Sequence, residues 1–389
     1  MTSTPTEWPR DSVGIVKEES FTFGSPESPL ALTCGRTLGP VTLAYETCGE
    51  LSPEKDNAIL ILHALSGDAH VAGYHTPEDR KPGWWDFMVG HGRPFDVDKY
   101  FVICSNVIGG CKGSTGPSSI NPQTGKPYNL DFPMVTIADM VNAQKHLIDH
   151  LGIRRLLCVT GGSMGGMQAL QWSIACPERV ASAIPIATTC RQNAMQIGWD
   201  EVGRQAIYAD ADWCNGAYLL HNKRPVKGLA AARMLAHITY LSAESMQRKF
   251  GRRLREKENY GYDFGLDFEV ESYLRHQGEI FVNRFDANSY LYITKALDYF
   301  DLERDHGSLR NAFENVLTRY LVLSFTSDWL YPTAQSLELV HALQNNRKRV
   351  RFRELETWYG HDSFLLPNAE MMALVSDFLA TVQQEVRKV

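Results

Sequence analysis

Residues 156–172 read LLCVTGGSMGGMQALQW, and the reading of this stretch decides the fold. Its first residues are apolar or β-branched without a polar break, the pattern of a strand buried on both faces. From Met164 onward the apolar residues continue at helical spacing as far as Pro177. Between the two lies Gly161-Gly162-Ser163-Met164-Gly165, a G-x-S-x-G turn. A strand before this motif and a helix after it is the context in which its serine serves as a nucleophile. The turn is sharp, so small residues must flank the serine. Its hydroxyl is lifted above the strand ends, over a helix N-terminus that favours developing negative charge. A glycine-rich turn around a buried serine would show the same five letters. The surrounding chain has to decide.

Working outward, 41–47, 58–64, 100–106, 183–187, 321–325 and 350–356 also read as strands. Helical patterns occupy 136–152, 333–345 and the chain from about 367. In the first of these, Thr136 is a candidate N-cap and Gly152 stands just past the end. Strands alternating with helices predict an α/β fold, a mostly parallel sheet with helices on both faces. Pro185 cannot donate to a ladder, so its strand is expected to be short or bulged. Residues 188–318 break the rhythm; 227–241 and 243–257 read as helices there. The expected organisation is a core of residues 1–187 and 319–389 with a helical lid, 188–318, over the carboxyl ends of the strands. The first 25 or so residues read as a loose lead-in.

The bulk numbers fit a soluble globular protein rather than a disordered one. Hydrophobic residues make up 44% of the 389 and charged residues 22%, with a formal net charge of −6. That balance argues against nucleic acid as a partner. The eight cysteines include no CxxC pair, which argues against a cysteine-based zinc site, and no metal is expected. No apolar run approaches the roughly 20 residues a membrane span takes, and the N-terminus has no signal-like apolar stretch. A cytoplasmic protein is expected. The block 109–116 lacks the G-x-x-x-x-G-K-[ST] of a phosphate-cradling loop.

A serine hydroxyl needs a base held by a third group. In chain order these partners should follow as Asp or Glu, then His, each after a later strand. Asp328 follows the strand 321–325, and His361 follows 350–356. Alone, Asp328 reads equally well as a helix cap or turn residue, and His361 as a loop histidine. In this order, after Ser163, they form a candidate triad. Backbone N–H groups of Met164 and of Leu65, in the loop after strand 58–64, are the candidate oxyanion donors.

HALSGDAH (63–70), KPGWWD (81–86), NVIGGCKGSTGPSSINP (106–122), GGSMGGMQALQW (161–172), ARMLAHITYLS (232–242), FDANSYLYITKALDYFD (285–301), SFTSDWLYP (324–332) and GHDSF (360–364) are long, specific blocks. On these the chain resembles the homoserine O-acetyltransferases of methionine biosynthesis, a branch of the α/β-hydrolase superfamily, from about residue 40 to 380. The resemblance implies an α/β-hydrolase fold and a two-step transfer. Ser163 would take acetyl from acetyl-CoA, and the γ-hydroxyl of L-homoserine would then take it from Ser163, with no permanently bound cofactor. It places the amino-acid site on Arg233, Tyr240 and Asp362, and implies a homodimer packed through the lid. Arg233 and Tyr240 are seven apart, two turns along one helix face, and an arginine suits a carboxylate clamp. Asp362 beside the histidine can hold an ammonium. Trp84 and Trp85 read as packing residues near the cleft. Lys81, Lys112 and Arg191 are candidates for the anionic donor. The residues themselves leave a succinyl donor, a serine acceptor and a serine esterase open. A non-catalytic binding protein would be expected to lack a triad member, and none is lacking.

Overall fold

The computed structural model describes residues 8–388. Eight strands form the main sheet: β1 (Glu19–Phe23), β2 (Val41–Cys48), β3 (Ala58–Ile61), β4 (Phe101–Ser105), β5 (Cys158–Gly162), β6 (Ser182–Ile186), β7 (Arg319–Phe325) and β8 (Val350–Leu355). Their order across the sheet is β1-β2-β4-β3-β5-β6-β7-β8. β1 and β2 pair antiparallel, β2 meets β4 antiparallel, and the remaining neighbours are parallel. The chain thus belongs to the α/β class expected from its alternating pattern. The lead-in is more ordered than its composition suggests, because its second half supplies edge strand β1.

The helices are α1 (Ile137–His150), α2 (Met164–Ala175), α3 (Ala194–Tyr208), α4 (Val226–Tyr240), α5 (Ala243–Lys249), α6 (Glu269–Arg284), α7 (Ala287–Asp298), α8 (Leu302–His306), α9 (Leu309–Ala312), α10 (Thr333–Asn345) and α11 (Ala369–Val386). Strands β3, β5 and β6 are buried at every position, and their side chains alternate between two cores. Leu60, Val159 and Ala183 face a core that includes α1 and α2. Ile59, Ile61, Ile184 and Ile186 face the other, closed by Met371, Val375, Phe378, Leu379 and Val382 of α11. That spacing is one helical stripe. Burying each such side chain contributes about 1.5–3 kcal/mol before entropy is counted.

Local signals explain several boundaries. Thr136 caps α1 through a reciprocal box with Asp139, and Gly152 beyond its end takes φ +70°. Pro185 is accommodated without a bulge. It pairs in register with Gly161 of β5, while the β6–β7 ladder skips Ile184 and Pro185 and resumes at Ile186. The helix expected over 243–257 stops at Lys249. Gly251 takes φ +54°, a left-handed stop that wins over the helical spacing continuing beyond it, and the chain then bridges Leu254 to Phe268. Between β6 and β7 the chain forms α3 to α9 and, among the described residues, adds no strand to the main sheet. No helix among the described residues is long and apolar enough to cross a membrane.

Candidate active site

Ser163 stands at the joint between β5 and α2, with φ +59° and ψ −123°. A non-glycine residue there is strained, by about 1–3 kcal/mol, and persists only where its surroundings dictate it. The surroundings are glycines pressed against backbone and rings. A Cβ on Gly161 would lie 2.2 Å from the Leu62 carbonyl oxygen, one on Gly165 2.0 Å from it, and one on Gly162 2.4 Å from the Phe364 ring. The Ser163 N–H donates to Ile186 O at 2.9 Å, and its carbonyl accepts from Thr188 Oγ1 at 2.7 Å. Only the hydroxyl is left without a hydrogen bond among the described residues.

Asp328 is buried in the loop after β7. Its Oδ1 accepts from the N–H groups of Leu330 and Tyr331 at 3.0 and 2.9 Å, and its Oδ2 meets His361 Nδ1 at 2.8 Å. The two backbone donors fix the carboxylate's rotation, so the second oxygen faces the imidazole. Nδ1 then carries the proton and Nε2 is the free acceptor. Gly360, at φ +89°, sets His361 against the end of α4; a Cβ there would lie 2.4 Å from Ser242 N. Trp329 Nε1 donates to Leu241 O at 2.9 Å, and Ser242 Oγ donates to Trp358 O. The loops bearing Asp328 and His361 are thereby tied to the helix bearing Arg233 and Tyr240.

A cavity of about 200 Å³ is lined by Leu65, Ser163, Arg233, Tyr240, His361 and Asp362, together with Ser66, Trp84 and Arg284. Asp328 and Met164 lie behind this wall, 4% and 0% exposed. All eight sequence-derived site residues are therefore brought together. Met164 is the first residue of α2, so its N–H has no intrahelical acceptor, and the Leu65 N–H has no partner among the described residues. On α4, Arg233 Nη1 donates to Ser66 Oγ at 3.1 Å, its guanidinium lies 5.5 Å from the Tyr240 ring centre, and its Nε is buried without a partner. The Asp362 carboxylate makes no hydrogen bond or ion pair among the described residues. Burial pushes its pKa up, against the opposing charges of His361 and Arg233. His237, one turn beyond Arg233, is pushed down to about 3 by burial and then by the Arg233 charge, so it is neutral.

Of the basic candidates for the donor, Arg191 is paired with Glu303, and neither it nor Lys81 or Lys112 lines the cavity. Trp85 packs as expected, fully buried with Nε1 donating to Phe364 O at 2.7 Å, whereas Trp84 lines the cavity. The residue that sequence reasoning missed is Arg284. Its only signal was a basic side chain ending a helical pattern just before the block 285–301. A smaller chamber of about 50 Å³ reaches Ser163 from the other side, past Leu65, Gln192, Asp200 and Tyr331.

The loop 63–70 that presents Leu65 and Ser66 is pinned at both ends. His63 Nδ1–H donates to Ala64 O at 2.8 Å, and its Nε2 accepts from Val107 N at 3.2 Å. His70 Nδ1 and His75 Nε2 meet the two oxygens of buried Glu46 at 2.9 and 2.6 Å. Burial works against a charge on His70, but the hydrogen bond and charge of Glu46 outweigh it and raise its pKa. A raised folded-state pKa means this contact's stabilisation is full below the unfolded value of about 6.5 and is lost as pH rises through the folded value. The loss in unfolding midpoint caused by Glu46→Gln should therefore shrink between about pH 6 and pH 9 in urea titrations. A loss constant across that range would show that the His70 charge does not contribute.

The α/β hydrolase fold family matches residues 57–366. A homoserine O-acetyltransferase of Solidesulfovibrio magneticus is 57% identical over 371 residues, covering 95% of this chain and 93% of that one. A crystal structure of homoserine O-acetyltransferase from Bacillus anthracis superposes with a TM-score of 0.88 at 32% identity, over 94% of this chain and 98% of that one. A crystal structure of an esterase superposes with a TM-score of 0.86 at 29% identity, over 94% of this chain and all of that one (100%). At this level of identity and coverage, the chain belongs to the homoserine O-acetyltransferase family of the α/β hydrolase fold.

Proposed function

We propose that this protein transfers an acetyl group from acetyl-CoA to the γ-hydroxyl of L-homoserine through an acetyl-Ser163 intermediate. The observation that carries the reading is the cavity itself. It sets a serine hydroxyl and a carboxylate-oriented imidazole beside the Arg233 guanidinium and the Asp362 carboxylate, neither of which is ion-paired among the described residues. Those two charges suit the two ends of a free amino acid. A plain esterase has no use for them.

In the first step His361 Nε2 takes the Ser163 proton while Oγ attacks the thioester carbonyl. Negative charge builds on the carbonyl oxygen, where the N–H groups of Leu65 and Met164 can receive it. The tetrahedral adduct collapses, breaking the C–S bond, and the CoA thiolate leaves with the proton from His361. In the second step homoserine binds with its carboxylate at Arg233 and its ammonium at Asp362, with Tyr240 alongside. His361 accepts the γ-hydroxyl proton as that oxygen attacks the acetyl carbon. Ser163 leaves, recovers the proton, and O-acetylhomoserine is released. The helical segment 188–318 acts as a lid, since it supplies Arg233, Tyr240 and Arg284 and screens the acyl-enzyme from water. Two features support acetyl over succinyl. The relatives carry the acetyl name, and among the described residues no cation lines the smaller chamber to neutralise a succinyl carboxylate.

The test is CoA release by the purified protein with L-homoserine, acetyl-CoA and succinyl-CoA compared. Homoserine-dependent release with acetyl-CoA is expected. Release with succinyl-CoA alone would overturn the donor, and release indifferent to homoserine would make the protein a hydrolase, as the esterase neighbour suggests. A homodimer packed through the lid belongs to the same proposal. Met195, Val202, Val226, Ile238 and Ile280 are apolar and 39–60% exposed on α3, α4 and α6. Light scattering should give twice the chain mass, and Val202→Glu with Ile238→Glu should lower it toward the monomer.

A further inference from the structure

Two of the least exposed arginines among the described residues, buried Arg204 and half-buried Arg93, each have a carboxylate partner. Arg204, 2% exposed, pairs with Asp298 at 2.8 Å, and Arg93 pairs with Asp86 at 2.7 Å. Arg233 and Arg284 depart from that pattern. Neither has an ion pair among the described residues, yet they stand side by side. Arg233 lies 4.6 Å and Arg284 5.3 Å from the centre of the same Phe281 ring. Both are held on one residue, Ser66: Arg233 Nη1 on its Oγ at 3.1 Å, Arg284 Nη1 on its carbonyl oxygen at 2.9 Å.

Two guanidiniums in a partly dry wall repel each other, and neutral oxygens return little of that cost. Burial, and after it the Arg233 charge, disfavour the charged form of Arg284. Arg284 ends α6, where the helix dipole favours a cation, but its hydrogen bond leaves its own helix for a loop 218 residues away in sequence. Asp68, which lines the same cavity, offsets part of that repulsion but forms an ion pair with neither arginine among the described residues, and an anion between the two would complete the pair. The anion must also enter the cavity that holds Ser163 and His361.

We propose that Arg284 is the second arm of a two-guanidinium seat for the acceptor's carboxylate, with Ser66 as the shared mount that sets the two arms. This rests on the acyl transfer to a free amino acid proposed above. The carboxylate is favoured over the donor's phosphates by position. The seat lies in the wall that carries the catalytic serine, where the acyl end of the donor must sit, and the phosphates are a long pantetheine arm away. One guanidinium whose Nη1 is already held on Ser66 Oγ offers the carboxylate fewer donors. Two fix its plane, and with the ammonium at Asp362 they aim the γ-hydroxyl at the acyl carbon.

The experiment compares wild type with Arg284→Gln, using acetyl-CoA with either L-homoserine or 3-amino-1-propanol, which keeps the hydroxyl and amine and lacks the carboxylate. In wild type, homoserine should be preferred by about 100-fold or more in kcat/KM. In the variant, kcat/KM for homoserine should fall about 10- to 100-fold, mainly through KM, while the amino alcohol and the KM for acetyl-CoA change by less than about twofold. The burst of CoA from acetyl-CoA alone should keep its amplitude, which certifies the variant's fold. Arg284→Lys should recover only part of the loss, because a point charge replaces a fork. A rise in KM confined to acetyl-CoA would assign Arg284 to the donor's phosphates and overturn the seat. Equal losses with both acceptors would make Arg284 a structural residue and overturn it too. If wild type itself shows no homoserine-dependent release, the acyl-transfer reading fails, and the seat with it.

Discussion

Asp328→Asn is expected to lower acetyl transfer about 10⁴-fold while leaving the unfolding midpoint nearly unchanged. The reason lies in how the carboxylate is held. Oδ1 accepts from the N–H groups of Leu330 and Tyr331, so an asparagine must keep its carbonyl oxygen there. Its NH₂ then faces His361 Nδ1, where Oδ2 stood at 2.8 Å. Nδ1 must now accept, the proton moves to Nε2, and the imidazole presents a donor where Ser163 needs an acceptor. Geometry survives and the tautomer is reversed. Measuring kcat for CoA release beside a urea titration separates the two. A rate within tenfold of wild type would show that Asp328 does not set the His361 tautomer.

Gly165→Ala carries the largest expected effect on stability. The added methyl would stand 2.0 Å from the Leu62 carbonyl oxygen and 2.9 Å from its carbon, backbone atoms of the chain leaving β3. Backbone cannot swing aside as a side chain can, so β3 and α2 must part. Overpacking costs about 1–3 kcal/mol where side chains yield, and this site should exceed that range. The damage falls on the joint that holds Ser163 and on the loop carrying Leu65, so activity should go as well. Gly198→Ala in α3 is the matched control, since nothing in the protomer lies within 4 Å of its new methyl. As Gly198 shares the α3 face of Met195 and Val202, it is read in the Val202→Glu, Ile238→Glu background. It should raise stability by about 0.5–1 kcal/mol through helix propensity. Urea midpoints of the two variants decide the matter. A Gly165→Ala midpoint equal to wild type would mean that the elbow is not packed as described.

What the sequence disclosed and what it hid follow one division. Features encoded locally were legible. The strand–turn–helix around Ser163 is written in contiguous residues, and so are the Thr136 cap and the seven-residue spacing of Arg233 and Tyr240 on α4; Asp328 and His361, far along the chain, were legible through the strand that precedes each. Features made by distant contacts were not. Arg284 joins the cavity only because α6 lays it on Ser66, and no local pattern marks that. Strand β1 lies in a stretch rich in Ser and Glu, and its exposed edge position removes the apolar run that would announce it. The stretch 243–257 differs for a local reason, since charged and apolar residues keep helical spacing beyond Gly251, whose left-handed φ ends the helix. Arg191 looked available to an anion and is spent on Glu303, a partner 112 residues on in α8.

The central claim is that Ser163 carries the acetyl group between donor and acceptor, and peptide mass mapping tests it most directly. Protein mixed with acetyl-CoA alone and quenched in acid should carry one added acetyl on the peptide containing Ser163, and a prior addition of L-homoserine should remove it. Ser163→Ala should show neither the adduct nor turnover. Homoserine-dependent acetyl transfer with no adduct, or an adduct confined to another residue, would contradict the account.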